Sequence, residues 1–489
     1  MTDYDLAIIG GGLNGVSIAR DAAGRGLRVI LLERGDLGAG ASSASPGLIH
    51  GDLEGLERRH FFRVRTALKE RDAWLSIAPH LVRPMRFAIP AHADERPPWQ
   101  LRSMLLLYDR LASRTRLPVS AAVDISHHPI GNALQRRFGT AFEYSDCVVD
   151  DCRLVVLSAV DAAERGAAIC TGARCARADR GETWRLIVID RGHRRVITAR
   201  ALVNASGAWT ATVAETVLRV PAPKLAHMQI GQIVVPRLFD NDVVYVFQNS
   251  DRRLIFASPY ARDFTLIGTI DRPFKGDPAI VAMGAHDVAY LCEAANRYLR
   301  ERVAPADVVR TVSGANAVIS PARRTRDGGM TFDYRRGKAP LITLFGDDVT
   351  TARLRAEKAV SELTRFYPMS PRWTAQAPLP GGEFAWERFQ TEVDTARDRW
   401  RFLSEAQATR LVAAYGRKAE AILGDAREKA DLGPAFGPEL TGAEVCYLMK
   451  HEWARFPDDI LWRRSKLGLT MPAEGREALA AFMATAETT

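Results

Sequence analysis

The sequence predicts a mixed α/β chain of several units that ends in an all-helical tail. Three observations carry this reading. Residues 5–33 read as strand, glycine turn, helix and strand. Residues 227–272 alternate apolar and polar side chains between repeated turn signals, the pattern of an antiparallel sheet. Beyond residue 382 the chain is charge-rich and helical in pattern. At about 100–200 residues per domain, 489 residues make two to four units.

The elements follow in order. Residues 5–9 (DLAII) are a short β-branched run suited to a buried parallel strand, and residues 28–32 (RVILL) are a second. Residues 16–25 between them read as a helix. Residues 36–51 are rich in glycine and serine, as in a loop lining a site. Apolar spacing predicts helices over 60–75, 99–111, 154–166, 286–303 and 352–366. Residues 83–98 carry prolines and read as irregular. Residues 196–205 form a strand that runs into Ser206-Gly207. Residues 378–382 (PLPGG) read as a linker.

Composition excludes several classes. The hydrophobic fraction of 47% and charged fraction of 26% are those of an ordinary globular chain. Basic residues exceed acidic ones by 9, but they are dispersed, and no nucleic-acid-binding motif is present, so no nucleic-acid partner is expected. The six cysteines have no CxxC spacing, so neither a disulfide scaffold nor a metal site is expected. No apolar run approaches the ~20 residues of a membrane span. The N-terminus is acidic before its apolar run and glycine-rich after it, the reverse of a signal peptide, which predicts a cytoplasmic protein.

Gly10-x-Gly12-x-x-Gly15 stands between the first strand and its helix. The first glycine permits the tight turn, the second lets backbone approach a pyrophosphate, and the third packs helix on strand. Glu33 ends the second strand, where an acid hydrogen-bonds a ribose hydroxyl, which argues for FAD or NAD over NADP. A second segment, Val203-Asn204-Ala205-Ser206-Gly207-Ala208-Trp209, resembles the downstream FAD-contacting segment of flavoprotein oxidoreductases and favours FAD.

GGGLNG at 10–15, DAAGRGL at 21–27, SSAS at 42–45, LIHG at 48–51, EYSDCVVDDCRL at 143–154 and IVVPR at 233–237 extend the likeness. So do FKGDP at 274–278, GKAPL at 337–341 and HEWARFPDDILWRRSKLGL at 451–469. With these strings in order, the chain resembles the FAD-dependent, aerobic glycerol-3-phosphate dehydrogenase family over nearly its whole length. The resemblance implies a discontinuous Rossmann-type FAD-binding domain (1–80, 143–222 and 311–374). It also implies an antiparallel-sheet substrate domain (81–142 and 223–310) and a helical C-terminal domain (375–489). It implies cofactor contacts from Gly10, Gly12, Leu13, Asn14, Gly15 and Glu33, and from Ser42, Ser43 and Ser45. Further contacts would come from Ala205, Ser206, Gly207 and Trp209, and from Gly346, Asp347, Val349 and Thr350.

The departures lie on the substrate side. Asp52-Leu53-Glu54-Gly55 stands where the family has Gly-Leu-Arg-Tyr, Asn316 replaces an arginine and Asp348 a lysine. Gln229 and Gln232 replace a basic residue and a histidine. A charge pair ~4 Å apart at an effective dielectric of ~20 is worth ~4 kcal/mol, so these changes weigh against a phosphate dianion. Arg326 is retained and would offset part of the loss. The resulting reading is hydride transfer from a small alcohol or amine to flavin N5, with no phosphate on the substrate. Two alternatives stand beside it: a genuine glycerol-3-phosphate dehydrogenase with a relocated phosphate site, and a flavin-binding protein without turnover. His50 is the first candidate base. Asp348 is the second, or a counter-ion for an amine, while a carboxylate here is equally suited to capping the following helix. Tyr260 is a candidate substrate contact, and His227 a weaker one.

The resemblance also implies quinone as electron acceptor, with oxygen the soluble alternative. Residues 99–111, flanked by Arg102, Arg110, Arg114 and Arg116, suit a basic helix lying peripherally on the inner face of the membrane. They equally suit a core helix with snorkelling arginines. A homodimer stays open. Asp458, Asp459, Arg463 and Arg464 read as structural ion pairs.

Overall fold

A computed structural model of the chain describes residues 2–486, except 92–95, 113–115, 223, 250, 252, 320–328 and 347. The first sheet runs in the order Met330–Asp333, Leu341–Leu344, His193–Asn204, Tyr4–Ile9, Val29–Glu33 and Ala168–Thr171. All its neighbours are parallel except the antiparallel edge strand Met330–Asp333, and a hairpin, Ala173–Arg180 and Trp184–Asp190, extends from His193–Asn204. Tyr4–Ile9 is central and buried on both faces, which is why its sequence is continuously apolar. Helices Leu13–Gly24, Asp151–Glu164 and Ala352–Glu362 join one core with Leu6, Ile8 and Leu31.

The second sheet runs Arg310–Ile319, Leu225–Pro236, Phe264–Phe274, Leu254–Tyr260, Val243–Gln248, Val82–Ala91, Thr140–Val149 and Leu48–Ile49. It is antiparallel but for the pair Val243–Gln248 with Val82–Ala91. Helix Ala285–Asn296 packs into one of its cores. Helices Phe61–Ile77 and Pro98–Leu111 pack into another, through Val64, Leu68, Leu101, Leu105 and Tyr108. The tail has a separate core around Val393, Leu411, Val445 and Leu461.

Three expectations are corrected. Residues 83–98 are not irregular, since Val82–Ala91 is a ten-residue strand. Its parallel ladder covers only Arg86–Ala88, so Pro84 and Pro90 fall outside the stretch that is paired on both sides. The expected boundaries at 143 and 311 cut through strands of the second sheet. Thr140–Val149 is paired from Thr140 to Val149, and Arg310–Ile319 from Arg310 to Ile319, so neither can be divided between domains. Residues 378–382 are not a free linker. Leu379, Pro380, Gly381 and Gly382 are buried, Leu379 N donates to Ile77 O at 2.7 Å, and a Cβ on Gly381 would lie 2.1 Å from Tyr415 O.

Buried charges join the tail to the first sheet. Arg153, on Asp151–Glu164, donates to Glu452 Oε1 at 2.9 Å and to Ala414 O at 2.8 Å. Arg464 donates to Asp36 Oδ1 at 2.7 Å, Arg463 pairs with both Asp36 and Asp459, and Asp459 also accepts from the Arg455 and Phe456 amides. Arg153 and Glu452 are almost wholly excluded from solvent. Removing one partner of such a pair strands the other charge, which costs about 3–5 kcal/mol. Glu452→Leu is therefore expected to lower unfolding free energy by about that amount in urea titrations, far more than Glu420→Leu at an exposed pair.

Candidate active site

The glycine turn brings the expected cofactor residues together. Gly10 has φ +113°, and a Cβ there would lie 2.4 Å from Ala205 O. A Cβ on Gly15 would lie 1.9 Å from Gly10 O. Those two glycines let strand, helix and the segment Ala205–Trp209 touch. Gly12 differs: its Cβ would meet only Ser42 Oγ, at 3.2 Å, leaving an open cradle at the helix N-terminus. The first N–H groups of Leu13–Gly24 have no intrahelical acceptors; Leu13 N donates to Ser42 Oγ at 3.1 Å. Asn14 Nδ2 donates to Gly346 O at 3.1 Å, while its Oδ1 is buried without a partner. Glu33 accepts from Gly11 N at 2.7 Å and Gly35 N at 2.8 Å; burial raises its pKa against the pull of those amides. Ser206 Oγ donates to Asn204 Oδ1 at 2.6 Å, and Arg34 stacks on Trp209 at 4.2 Å. An open glycine cradle, free amides, an orphaned amide oxygen and a carboxylate at the strand end fit the pyrophosphate and ribose of a dinucleotide.

On the substrate side, His50 and Thr350 are joined by backbone: His50 N donates to Thr350 Oγ1 at 3.2 Å, and Thr350 Oγ1 lies 3.3 Å from His50 O. Asp52 N donates to His50 Nδ1 at 3.1 Å, which places the proton of a neutral ring on Nε2. Asp348 accepts from Thr350 N at 3.1 Å and Thr351 Oγ1 at 2.7 Å, which ties it to the turn that opens helix Ala352–Glu362. Val349 packs against the first core. Asn316 pairs in register with Met228, and its neighbour Ala317 O accepts from Gly346 N at 2.8 Å. Gln232 Nε2 donates to Ala44 O at 2.9 Å. Gln229 donates to Ala282 O and accepts from Arg272, which also pairs with Asp287 at 2.7 Å.

Other expected residues lie apart. Glu54 is half-buried, 3.8 Å from Arg58, and burial raises its pKa. Tyr260 lines a separate cavity with Ser43, Ser45 and Lys466. His227 is bonded to Ala208 O. Arg326 and Asp347 lie outside the described residues. Asp150, Asp151 and Cys152 have ligand atoms close enough to hold a metal. The Lys466 ammonium, 3.5 and 3.9 Å from the two carboxylates, already supplies positive charge there.

Residues 5–351 match the family model described as FAD dependent oxidoreductase, and residues 372–488 match the C-terminal domain of alpha-glycerophosphate oxidase. The chain belongs to the FAD dependent oxidoreductase family. It is 41% identical to a glycerol-3-phosphate dehydrogenase of Pseudomonas aeruginosa, over 98% of this chain and 95% of the relative. It is 39% identical to a D-erythritol 1-phosphate dehydrogenase of Brucella abortus, over 97% of this chain and 96% of the relative. The fold matches that of a Bacillus halodurans glycerol-3-phosphate dehydrogenase complexed with FAD, with TM-score 0.75, 22% identity and coverage of 99% and 94%. This family member is accordingly an FAD-dependent oxidoreductase.

A buried network behind His50 escaped the sequence reading. Gly51 N donates to the Tyr108 hydroxyl at 2.7 Å; that hydroxyl donates to Asp146 at 2.7 Å; Asp146 accepts from Arg71 at 2.9 Å. Burial raises the Asp146 pKa, and the Arg71 cation opposes it. These residues come from two helices and a strand, so no local spacing announces them. They fix the backbone that carries His50.

The two glycines make separable predictions. Gly12→Val fills the cradle but meets no backbone, so the protein is expected to fold, purify colourless and resist reconstitution with FAD. Gly15→Val collides with Gly10 O and is expected to lose the folded state, read by circular dichroism melting.

Proposed function

We propose that this oxidoreductase removes hydrogen from a small polyol-like alcohol that carries no phosphate. FAD, held by the Gly10–Gly15 turn and Glu33, would supply the hydride acceptor for the carbinol C–H. The chain's own task is then to hold the hydroxyl and take its proton. His50 presents Nε2–H, because Nδ1 already accepts from Asp52 N, and so orients the substrate oxygen. Asp348 accepts one bond at each carboxylate oxygen and keeps lone pairs on both, so it serves as the base. Both groups are placed around Thr350, which bonds His50 backbone and receives the Asp348 carboxylate at its own amide.

One observation carries the substrate class. The positions that hold phosphate-binding cations in the resembling family are here Glu54, Asn316 and Asp348, and Gln229 and Gln232 replace two more polar positions, although Glu54 stands apart, against Arg58. The nearby cation Arg272 is neutralised by Asp287. Carboxylates and amides suit hydroxyl groups, and a charge-assisted hydrogen bond to one of them contributes ~1.5–3 kcal/mol. A second reading, a phosphorylated polyol, is favoured by the names of the relatives at 39–41% identity. Steady-state kinetics on glycerol, erythritol and their phosphate esters separate the two. The free polyols are expected to be the better substrates, and Asp348→Asn to reduce kcat on them at least ~100-fold. A kcat/KM of ~10⁴ M⁻¹s⁻¹ or more on a phosphate ester, above that on the polyol, would replace the first reading by the second.

We infer that the electron acceptor is reached at a membrane surface. Among the described residues no helix is long and apolar enough to cross a membrane. Yet Phe62, Trp99 and Leu106 are 84%, 72% and 51% exposed on two helices that share a core, with Arg63, Arg65 and Arg102 exposed around them. The inner face of the second helix, Leu101, Leu105 and Tyr108, is buried, so only its outer face is available to lipid. Co-sedimentation with anionic vesicles is expected at low salt and should weaken at high salt. No co-sedimentation at low salt would favour oxygen as acceptor.

A further inference from the structure

A cavity of ≈ 760 Å³ lies where the loop Ser43–Gly47, the second sheet and the C-terminal helices meet. That volume is within the ~300–1,000 Å³ of small-molecule sites. Gly10, Gly12, Glu33, Trp209, His50 and Thr350 do not line it, so it is not the cofactor cradle; it borders the site already described through Ser43, Ser45 and Gln232.

Its charges are paired with one exception. Asp150 and Asp151 hold Lys466, Arg237 lies 3.7 Å from Asp242, and Arg262 bridges Asp263 and Glu439. Glu439 also holds Arg410, Arg397 lies 3.8 Å from Glu405, and Arg464 is bound to Asp36. Each lining carboxylate thus lies within 4.0 Å of a cation, with Asp150 and Asp151 sharing the single Lys466. Arg83 has no hydrogen bond or ion pair with any described residue. Its side chain is accessible, yet enough protein surrounds it that burial lowers its pKa. The side chain lines the cavity, where Asp150 and Asp242 attract it through space without bonding to it. Its N–H donors are therefore left without an acceptor among the described residues. Neutral donors flank the same space. The Tyr260 hydroxyl has no protein partner, Ser258 is beside it on the strand, and His80 is buried with neither ring nitrogen bonded.

We propose that this cavity binds a small molecule bearing an oxyanion, a carboxylate or a phosphate, gripped by Arg83 with Tyr260 as second donor. The planar guanidinium fork matches either group in bidentate fashion.

The test is calorimetric titration of the FAD-loaded protein with inorganic phosphate and, separately, with succinate. Saturable binding of at least one is expected, weakened at least ~10-fold by Arg83→Gln and by a smaller factor by Tyr260→Phe. The visible flavin spectrum and Tm of both variants should match wild type, since neither side chain bonds to the protein. Tighter binding of phosphate would identify a phosphate ester as the ligand; tighter binding of succinate would identify a carboxylate. Absence of saturable binding of both anions at millimolar concentration would overturn the proposal. So would Arg83→Gln protein that binds as wild type does.

Discussion

Contact between Gly10 and Gly15, with no room for even a methyl group between them, is the constraint on which the architecture rests. Gly10 turns with a positive φ against the Ala205 carbonyl, and Gly15 lets the first helix lie on that same turn. Three pieces of chain distant in sequence are thereby held at one point. The helix N-terminus, the end of the second strand at Glu33 and the segment to Trp209 then face a common space. Cofactor recognition follows from backbone approach more than from any side chain. That is why the region stays close to its family while side chains elsewhere have diverged.

The substrate side depends on a different device. His50 and Asp348 come from distant parts of the chain, and Thr350 bonds to both, through the His50 backbone and the Asp348 carboxylate. Behind them the Arg71–Asp146–Tyr108 chain pins Gly51 N in a dry interior. Each member of that chain has its partner, so a buried carboxyl is tolerable there; a half-made version would not be. The loop that carries His50 thus gains the positional precision of the sheet beneath it.

Much of this was legible in the sequence where the causes are local. The first 35 residues announce strand, turn and helix through their own spacing, and the alternation over 227–272 does the same for the second sheet. The helix that begins at Ala352 was visible too, because its apolar spacing is local. The strand Val82–Ala91 was hidden by its prolines, whose tolerance depends on how far a partner strand reaches. Tyr108 and Asp146 gave no signal, since their bond joins positions 38 apart in sequence. Arg83 was one arginine among many until the cavity in front of it was known.

Gly381 and Gly416 cross with their backbones in contact, each leaving no space for a side chain on the other. A joint of that kind behaves as a weld. A protease has no extended loop to grip at this point, and the chain that leaves Leu379, bonded to Ile77 O, enters the tail already fixed. The helical tail is in mechanical terms a buttress of the oxidoreductase part, braced there by Arg153–Glu452 and Arg464–Asp36.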